Sequence, residues 1–271
     1  FAAISTGGFS THDASLAAFP GWAPRLVVIG LSLAGAVALP LYFLAWRHGW
    51  RLLATNVELH ALLVLCGLSS ALLALLLYHA RGAWQADFVG HAVLMATSAQ
   101  TTTGFASLPV GELDATAKLA LILSMLVGGS VGSTAGGFKL WRLLLLLRLS
   151  QLMLRRIAMP DHAVVELRLG GRIIETDELT RGLLLMLLFA TAVLCSWLPF
   201  LWFGHDPLNA LFEVVSALAT TGLSAGIASP ALHPLLKGIL CIDMLLGRLE
   251  IIAVLVLFAP RTWFGRRRMP P

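Results

Sequence analysis

Three stretches of this chain are long enough to cross a bilayer and carry no charged side chain: Leu26 to Ala45, Ala61 to Tyr78 and Gly182 to Gly204. A helix crosses the hydrocarbon core in about 20 apolar residues. Lipid offers no water to backbone N–H and C=O groups, so a spanning segment must satisfy its own. Composition agrees with this reading. Hydrophobic residues make up 58 % of the 271 positions and charged residues 12 %, against about 25 % charge in a soluble domain. So few charges cannot cover a water-soluble surface of that size. The chain starts at Phe1 rather than Met, which suggests that an N-terminal portion precedes it.

The remaining segments are more unusual. Phe88 to Gly104 is apolar but ends in Thr101-Thr102-Thr103-Gly104, too short and too polar at its end to cross. A re-entrant half-helix fits better. Leu208 to Ala219 is a second one, closed by Thr220-Thr221-Gly222. Leu119 to Phe138 begins as a span, yet its second half contains Gly128, Gly129, Ser130, Gly132, Ser133, Thr134, Gly136 and Gly137. Each glycine costs a helix about 1 kcal/mol relative to alanine, so this half is expected to be non-helical and flexible. Trp141 to Arg156 resumes as a Leu-rich helix. Val164 to Glu175 alternates on either side of Gly170-Gly171 and reads as a small hairpin. Gly238 to Pro260 is the last span and carries Asp243, Arg248 and Glu250. Pro40 is expected to kink the inner end of the first span.

Charge orients these spans. Connectors 47–59 and 139–181 and the tail from Arg261 hold most of the arginines, while Arg25, Arg81, Lys118 and Lys237 fall on the other side. The positive-inside rule places the arginine-rich side in the cytoplasm, so the half-helices enter from outside. The net charge of +5 and pI near 9.6 are thereby explained as an orientation signal, with no nucleic-acid partner. Cys66, Cys195 and Cys241 sit singly in apolar runs without metal or redox spacing and read as packing residues.

Three short segments repeat one pattern. They are Ser5-Thr6-Gly7-Gly8-Phe9, Thr101-Thr102-Thr103-Gly104-Phe105 and Ala219-Thr220-Thr221-Gly222-Leu223. Each precedes a span, and the second and third follow a span and a half-helix. The repeating unit is span, half-helix, glycine strand, span. A half-helix aims the negative end of its dipole into the bilayer, and glycine permits torsions closed to other residues. Several such strands can turn carbonyls inward and replace the water shell of a cation. Asp13, Glu112 and Asp114 follow the strands on the outer side, either to concentrate cations or as ordinary solvated loop residues.

At these residues the chain resembles the Trk-type potassium uptake proteins of the Trk/Ktr/HKT superfamily. Ser5 to Asp13 looks like the second filter of that family, and Thr101 to Phe105 is similar to the third. Gly128 to Lys139 resembles its broken third-repeat helix, and Met244 to Glu250 the corresponding helix of the fourth. The resemblance implies an all-α polytopic membrane protein of helix–pore loop–helix units around one central pore. It implies a potassium-binding filter at Ser5, Thr6, Gly7, Gly8, Thr101, Thr102, Thr103, Gly104, Thr220, Thr221 and Gly222. It implies a gate formed by Gly128, Gly129, Ser130, Gly132, Ser133, Thr134, Gly136 and Gly137, and a pore barrier at Arg248. Potassium is then the transported ligand. Further implied are a homodimer in the bacterial cytoplasmic (inner) membrane and a cytoplasmic ring of nucleotide-binding regulatory subunits.

The expected organisation is the end of the second repeat over 1–46, a connector over 47–59 and the third repeat over 60–156. A hairpin linker follows over 157–181, then the fourth repeat over 182–260 and a basic tail over 261–271. Five spanning segments and two complete pore helices result, with the glycine strands converging at similar depth. No catalytic residue is expected. Gly128-Gly129-Ser130-Val131-Gly132 matches the nucleophile pattern of serine hydrolases, but that motif needs a strand-to-helix turn in a sheet. Arg248 also has a structural reading, as one half of an ion pair between helices. Two other classes stay open: a broken-helix secondary transporter of another solute, and a non-transporting assembly subunit whose glycines serve packing.

Overall fold

The computed structural model describes residues 1–12, 14–19, 21–81, 86–157, 167–249, 251 and 256. The fold is helical. In chain order the helices are α1 (Ala23–Ala36), α2 (Leu39–His48), α3 (Arg51–Thr55), α4 (Val57–Arg81), α5 (Ala86–Gln100), α6 (Ala115–Val127) and α7 (Leu140–Ile157). A two-stranded hairpin, β1 (Arg168–Leu169) and β2 (Arg172–Ile173), precedes α8 (Thr176–Trp202), α9 (Pro207–Leu218) and α10 (Pro234–Leu249). Asp13, Glu250 and the basic tail lie outside the described residues, as does the part of the linker over 158–166.

Among the described residues two helices are long and apolar enough to cross a membrane, α4 and α8, of 25 and 27 residues. Side chains such as Leu63, Val64, Leu68 and Leu75 on α4, and Leu187, Leu194 and Leu198 on α8, stand exposed. In water such an apolar surface would be a liability. In lipid it is the matching face. The polar residues are turned the other way: Thr97, Ser98, Gln100, Thr101, Thr102, Thr103, Ser216 and Thr221 are all buried.

The first expected span is not straight. α1 and α2 form a broken pair bent by 87°, and the break falls at Val37 and Ala38, both extended, just ahead of Pro40. Pro40 sits in the first turn of α2, where its missing N–H costs nothing. The expected kink therefore appears as a near right-angle break just ahead of it. Of the five expected spanning segments, two helices and this bent pair pass by length and composition among the described residues, and the end of the last expected span, 238–260, lies outside them. α6 has 13 residues and stops at Val127, with Gly128 at φ 69 closing its last turn.

Other ends are set locally. Asn56 Oδ1 accepts the Leu59 N–H at 2.9 Å and caps α4. Asp206 Oδ2 accepts the Asn209 N–H at 2.9 Å ahead of Pro207, the first residue of α9. The hairpin register pairs Arg168 with Ile173 and Leu169 with Arg172. Gly170 and Gly171 between them both have positive φ, as a two-residue turn of this hand requires. α4 packs against α5 and α6, and α9 packs against α6, α8 and α10. The short helices α5 and α9 thus pack against the long helices α4 and α8 respectively. Residues 212–219 are buried throughout.

Candidate ion filter and gate

Both short helices end in the same way. The Thr102 N–H bonds the Ala99 carbonyl (3.1 Å), and the Thr103 N–H reaches back to Ser98 (2.8 Å). Thr220 bonds Ala217 (3.0 Å) and Thr221 bonds Ser216 (2.8 Å) in the same pattern. At the start of the chain Thr6 bonds Ala3 (3.3 Å) and Gly7 bonds Ala2 (2.8 Å). This paired bonding is a Schellman cap, whose left-handed residue is usually glycine. Here it is threonine each time, with φ 51 at Thr6, 52 at Thr102 and 54 at Thr220. An L-residue gives up roughly 1–2 kcal/mol in that region. Two residues on, Gly8, Gly104 and Gly222 are also left-handed, at φ 67, 86 and 88. Alternation of hand along a strand lets successive carbonyls share one side.

The strands are in backbone contact. A Cβ placed on Gly8 would overlap the Thr103 carbonyl oxygen, and one on Gly104 would overlap that of Thr221. Residues 5–8, 101–104 and 219–222 therefore meet, and the closeness itself demands glycine. The Thr101 hydroxyl donates to the Thr97 carbonyl (2.7 Å) and accepts from Thr103 (2.8 Å), so these side chains are occupied. The carbonyls of Thr6, Gly7, Thr102, Thr103, Thr220 and Thr221 accept no hydrogen bond from the described residues. Thr6, Thr102, Thr103 and Thr221 are buried residues, where a backbone carbonyl without a partner is rare and costly.

The segment Gly128 to Gly137 is non-helical and runs against the three left-handed threonines. Thr6 Oγ1 donates to the Thr134 carbonyl (2.7 Å), and Thr134 Oγ1 donates to Ile4 (3.1 Å) and Gly35 (2.9 Å) carbonyls. The Gly136 N–H donates to Thr102 Oγ1 (2.6 Å), and a Cβ at Gly136 would overlap the Ala219 carbonyl and crowd Thr220 Oγ1. The glycines suggest slack, but the loop is closely fitted. Gln100 Nε2 holds the Gly128 carbonyl (2.8 Å), the Ser130 N–H bonds Ala36 (3.0 Å), and the Leu39 N–H bonds Gly132 (3.0 Å). The open ends of the broken α1–α2 pair are thus satisfied by this loop.

Arg248 Nη1 donates to the Thr134 carbonyl at 2.9 Å, the same oxygen that Thr6 holds. Asp243 accepts from Ser196 Oγ (2.6 Å), and its second oxygen is buried without a partner among the described residues. Among the described residues Arg248 forms no ion pair with a carboxylate of another helix, and Glu250 lies outside them. Glu112 and Asp114 are exposed. The Ser130 side chain hydrogen-bonds the Glu58 carboxylate, while its N–H bonds the Ala36 carbonyl and its carbonyl accepts from Ser133 Oγ. It sits in an irregular loop and not on the strand-to-helix turn that a hydrolase nucleophile needs.

Sequence reasoning missed Gln100, Lys118 and Glu213. Lys118 donates to the Gly111 carbonyl (3.0 Å) and to Asn209 Oδ1 (2.9 Å), tying α6 to α9. Glu213 is a lone charge in an apolar run, which was the available signal, whereas Gln100 and Lys118 stand near other polar residues that hide them.

Short helices packed among apolar spans, each followed by a strand with left-handed threonine and glycine, define a polytopic membrane protein with re-entrant loops. The TrkH family model, described as a cation transport protein, matches residues 1–264, and the chain belongs to that family. It is 30 % identical over 275 residues to the Trk system potassium uptake protein TrkH of Escherichia coli K12, covering 97 % of this chain and 55 % of that protein. It is 31 % identical over 280 residues to the protein of the same name from Halomonas elongata, with the same two shares covered. The solved structure of the potassium transporter TrkH from Vibrio parahaemolyticus superposes with TM-score 0.87 at 28 % identity, over 97 % of this chain and 57 % of that one. The chain spans about half the length of the curated relatives it matches.

Proposed function

We propose that this chain forms three strands of the selectivity filter of a potassium uptake pore, with loop 128–137 as its gate. The observation that carries this reading is the meeting of three like strands, on which the carbonyls of the buried residues Thr6, Thr102, Thr103 and Thr221 have no partner among the described residues. A dehydrated monovalent cation supplies what those oxygens lack. The repeats correspond to 1–46, 60–156 and 182–260. Ser5 to Gly8, Thr101 to Gly104 and Thr220 to Gly222 line the ion path, and potassium is the cargo that the names of the relatives support. Loop 128–137 sits against the filter threonines and obstructs the path. Arg248, fixed on the Thr134 carbonyl, places a positive charge there. The protein works in the bacterial cytoplasmic membrane as a homodimer on a cytoplasmic nucleotide-binding ring, and no step of it is enzymatic.

The test is uptake of potassium or rubidium by cells deficient in their own uptake systems and expressing the intact protein. Uptake above the empty-vector level is expected. None, with normal membrane abundance, favours an assembly subunit.

A further inference from the structure

The half-helix α9 carries one carboxylate, Glu213, for which the ion path has no use so far. It is 3 % exposed. Its Oε1 accepts from Ser224 Oγ (2.6 Å) and from the N–H groups of Ala225 (2.9 Å), Ile227 (3.2 Å) and Ala228 (3.4 Å). Gly226, at φ 101, curls the chain around the carboxylate, and its own N–H bonds Ser224 Oγ (3.0 Å). Backbone N–H groups converging on an anion form a nest. This one begins two residues after the filter glycine Gly222.

The other repeat supplies a comparison. Met95 precedes Gly104 by the same interval that separates Glu213 from Gly222, and Ser107 follows as Ala225 does. There the Ser107 N–H meets Met95 Sδ at 3.3 Å. A thioether is a weak acceptor, whereas a carboxylate is a strong one. The consequence lies on the opposite side of the peptide. In a planar trans peptide, an N–H and the preceding carbonyl point opposite ways. The Ala225 N–H faces Glu213, so the Ser224 carbonyl faces away from it. In the third repeat the matching carbonyl, Ala106, is taken by the Leu16 N–H (3.0 Å). The Ser224 carbonyl accepts no hydrogen bond from the described residues. Ser224 also lines a cavity of about 580 Å³ that Gly8, Gly104 and Gly222 share.

We infer that Glu213 is a positioning residue for ion entry: it holds backbone 224–228 so that the Ser224 carbonyl forms an outer subsite for a monovalent cation, ahead of the filter strand ending at Gly222. The inference rests on the pore reading. A glutamine at 213 keeps an oxygen that accepts N–H groups, while a methionine reproduces the third-repeat arrangement.

The experiment is concentration-dependent rubidium uptake by cells expressing intact protein with Glu213→Gln, Glu213→Met or Ser224→Ala, with membrane abundance measured on each. Glu213→Met is expected to raise KM about tenfold, with maximal rate per protein nearly unchanged, as lost ground-state binding does. Glu213→Gln is expected to fall between wild type and Met, and Ser224→Ala to shift KM the same way by less. Unchanged KM in Glu213→Met at normal abundance overturns the inference, as does a Gln variant as impaired as Met, which would make the charge itself the agent. If Glu213→Met does not reach the membrane, Ser224→Ala decides, and an unchanged KM there overturns it. Gly104→Ser, measured alongside, separates the two levels. If it alters ion preference while the 213 and 224 variants change nothing, the pore reading stands and this inference falls. If Gly104→Ser is also silent, the pore reading falls first.

Discussion

Gly104 is held by two independent constraints, a left-handed φ of 86 and a neighbouring Thr221 carbonyl where a Cβ would stand. Gly222 has the first constraint, at φ 88, but a Cβ there meets nothing within 4 Å. Gly182 has neither: its nearest contact is Leu145 Cδ1 at 3.6 Å, ordinary packing distance. The three glycines are therefore graded. Gly104→Ser is expected to lower the potassium-to-sodium uptake ratio most, because its strand must move away from the neighbouring one. Gly222→Ser is expected to lower it less, through roughly 1–2 kcal/mol of backbone strain. Gly182→Ser is expected to leave it untouched. Paired potassium and sodium uptake measurements on the three variants check the order, and equal ratios for Gly104→Ser and Gly182→Ser would remove the filter assignment.

The element that matters most is loop 128–137, because it touches all three strands and both halves of the α1–α2 pair. Its threonine partners explain why a β-branched residue is kept in a left-handed cap: Thr6 and Thr102 use their hydroxyls on the loop. Strain of this kind persists where surrounding contacts over-determine it. Shortening the loop, or removing Arg248, which holds its Thr134 carbonyl, acts on the same obstruction. Both are expected to raise flux in the intact protein. A unit positive charge about 6 Å from a cation costs roughly 3 kcal/mol at an effective dielectric of 20, so Arg248→Ala is expected to increase rubidium flux several-fold or more. Its membrane abundance is expected to hold, since no described carboxylate is left alone by the change. Reduced flux with normal abundance in both variants assigns the loop to packing.

Across the molecule the exterior of the long helices is apolar, while the interior combines hydrophobic clusters with the hydroxyls and carbonyls of the strands. The orientation of that body comes from charge. The hairpin side bears the arginines and the outer loops bear few. Single cysteines at Gly171 and Glu112, both exposed, are expected to report opposite sides, in a background where Cys66, Cys195 and Cys241 are replaced by alanine. A membrane-impermeant maleimide is expected to label Glu112→Cys in intact cells and Gly171→Cys only in inverted vesicles. The reverse pattern would turn the half-helices to face the cytoplasm.

What the linear chain determined by itself was chemistry of composition and spacing. Uncharged runs force helices into lipid, and the recurrence of threonine and glycine after each half-helix marks the strands. Gly170-Gly171 marks its hairpin, because only φ decides there. These signals are local, so they survive without a fold. The tertiary structure alone decided the rest. Pro40 marked a break in the first span, but that it opens to 87° at Val37 and Ala38 goes with loop 128–137, which bonds its open ends. Val131 receives Glu58 from the start of α4, 73 positions away. Arg248 meets a loop carbonyl 114 positions away rather than a carboxylate on its own helix. Glu213 reads in sequence as a stray charge in an apolar helix, and only the folded chain shows the backbone groups it gathers. Such pairings join distant segments, and no periodicity records them, because the partner of a buried polar group is fixed by where the helices pack.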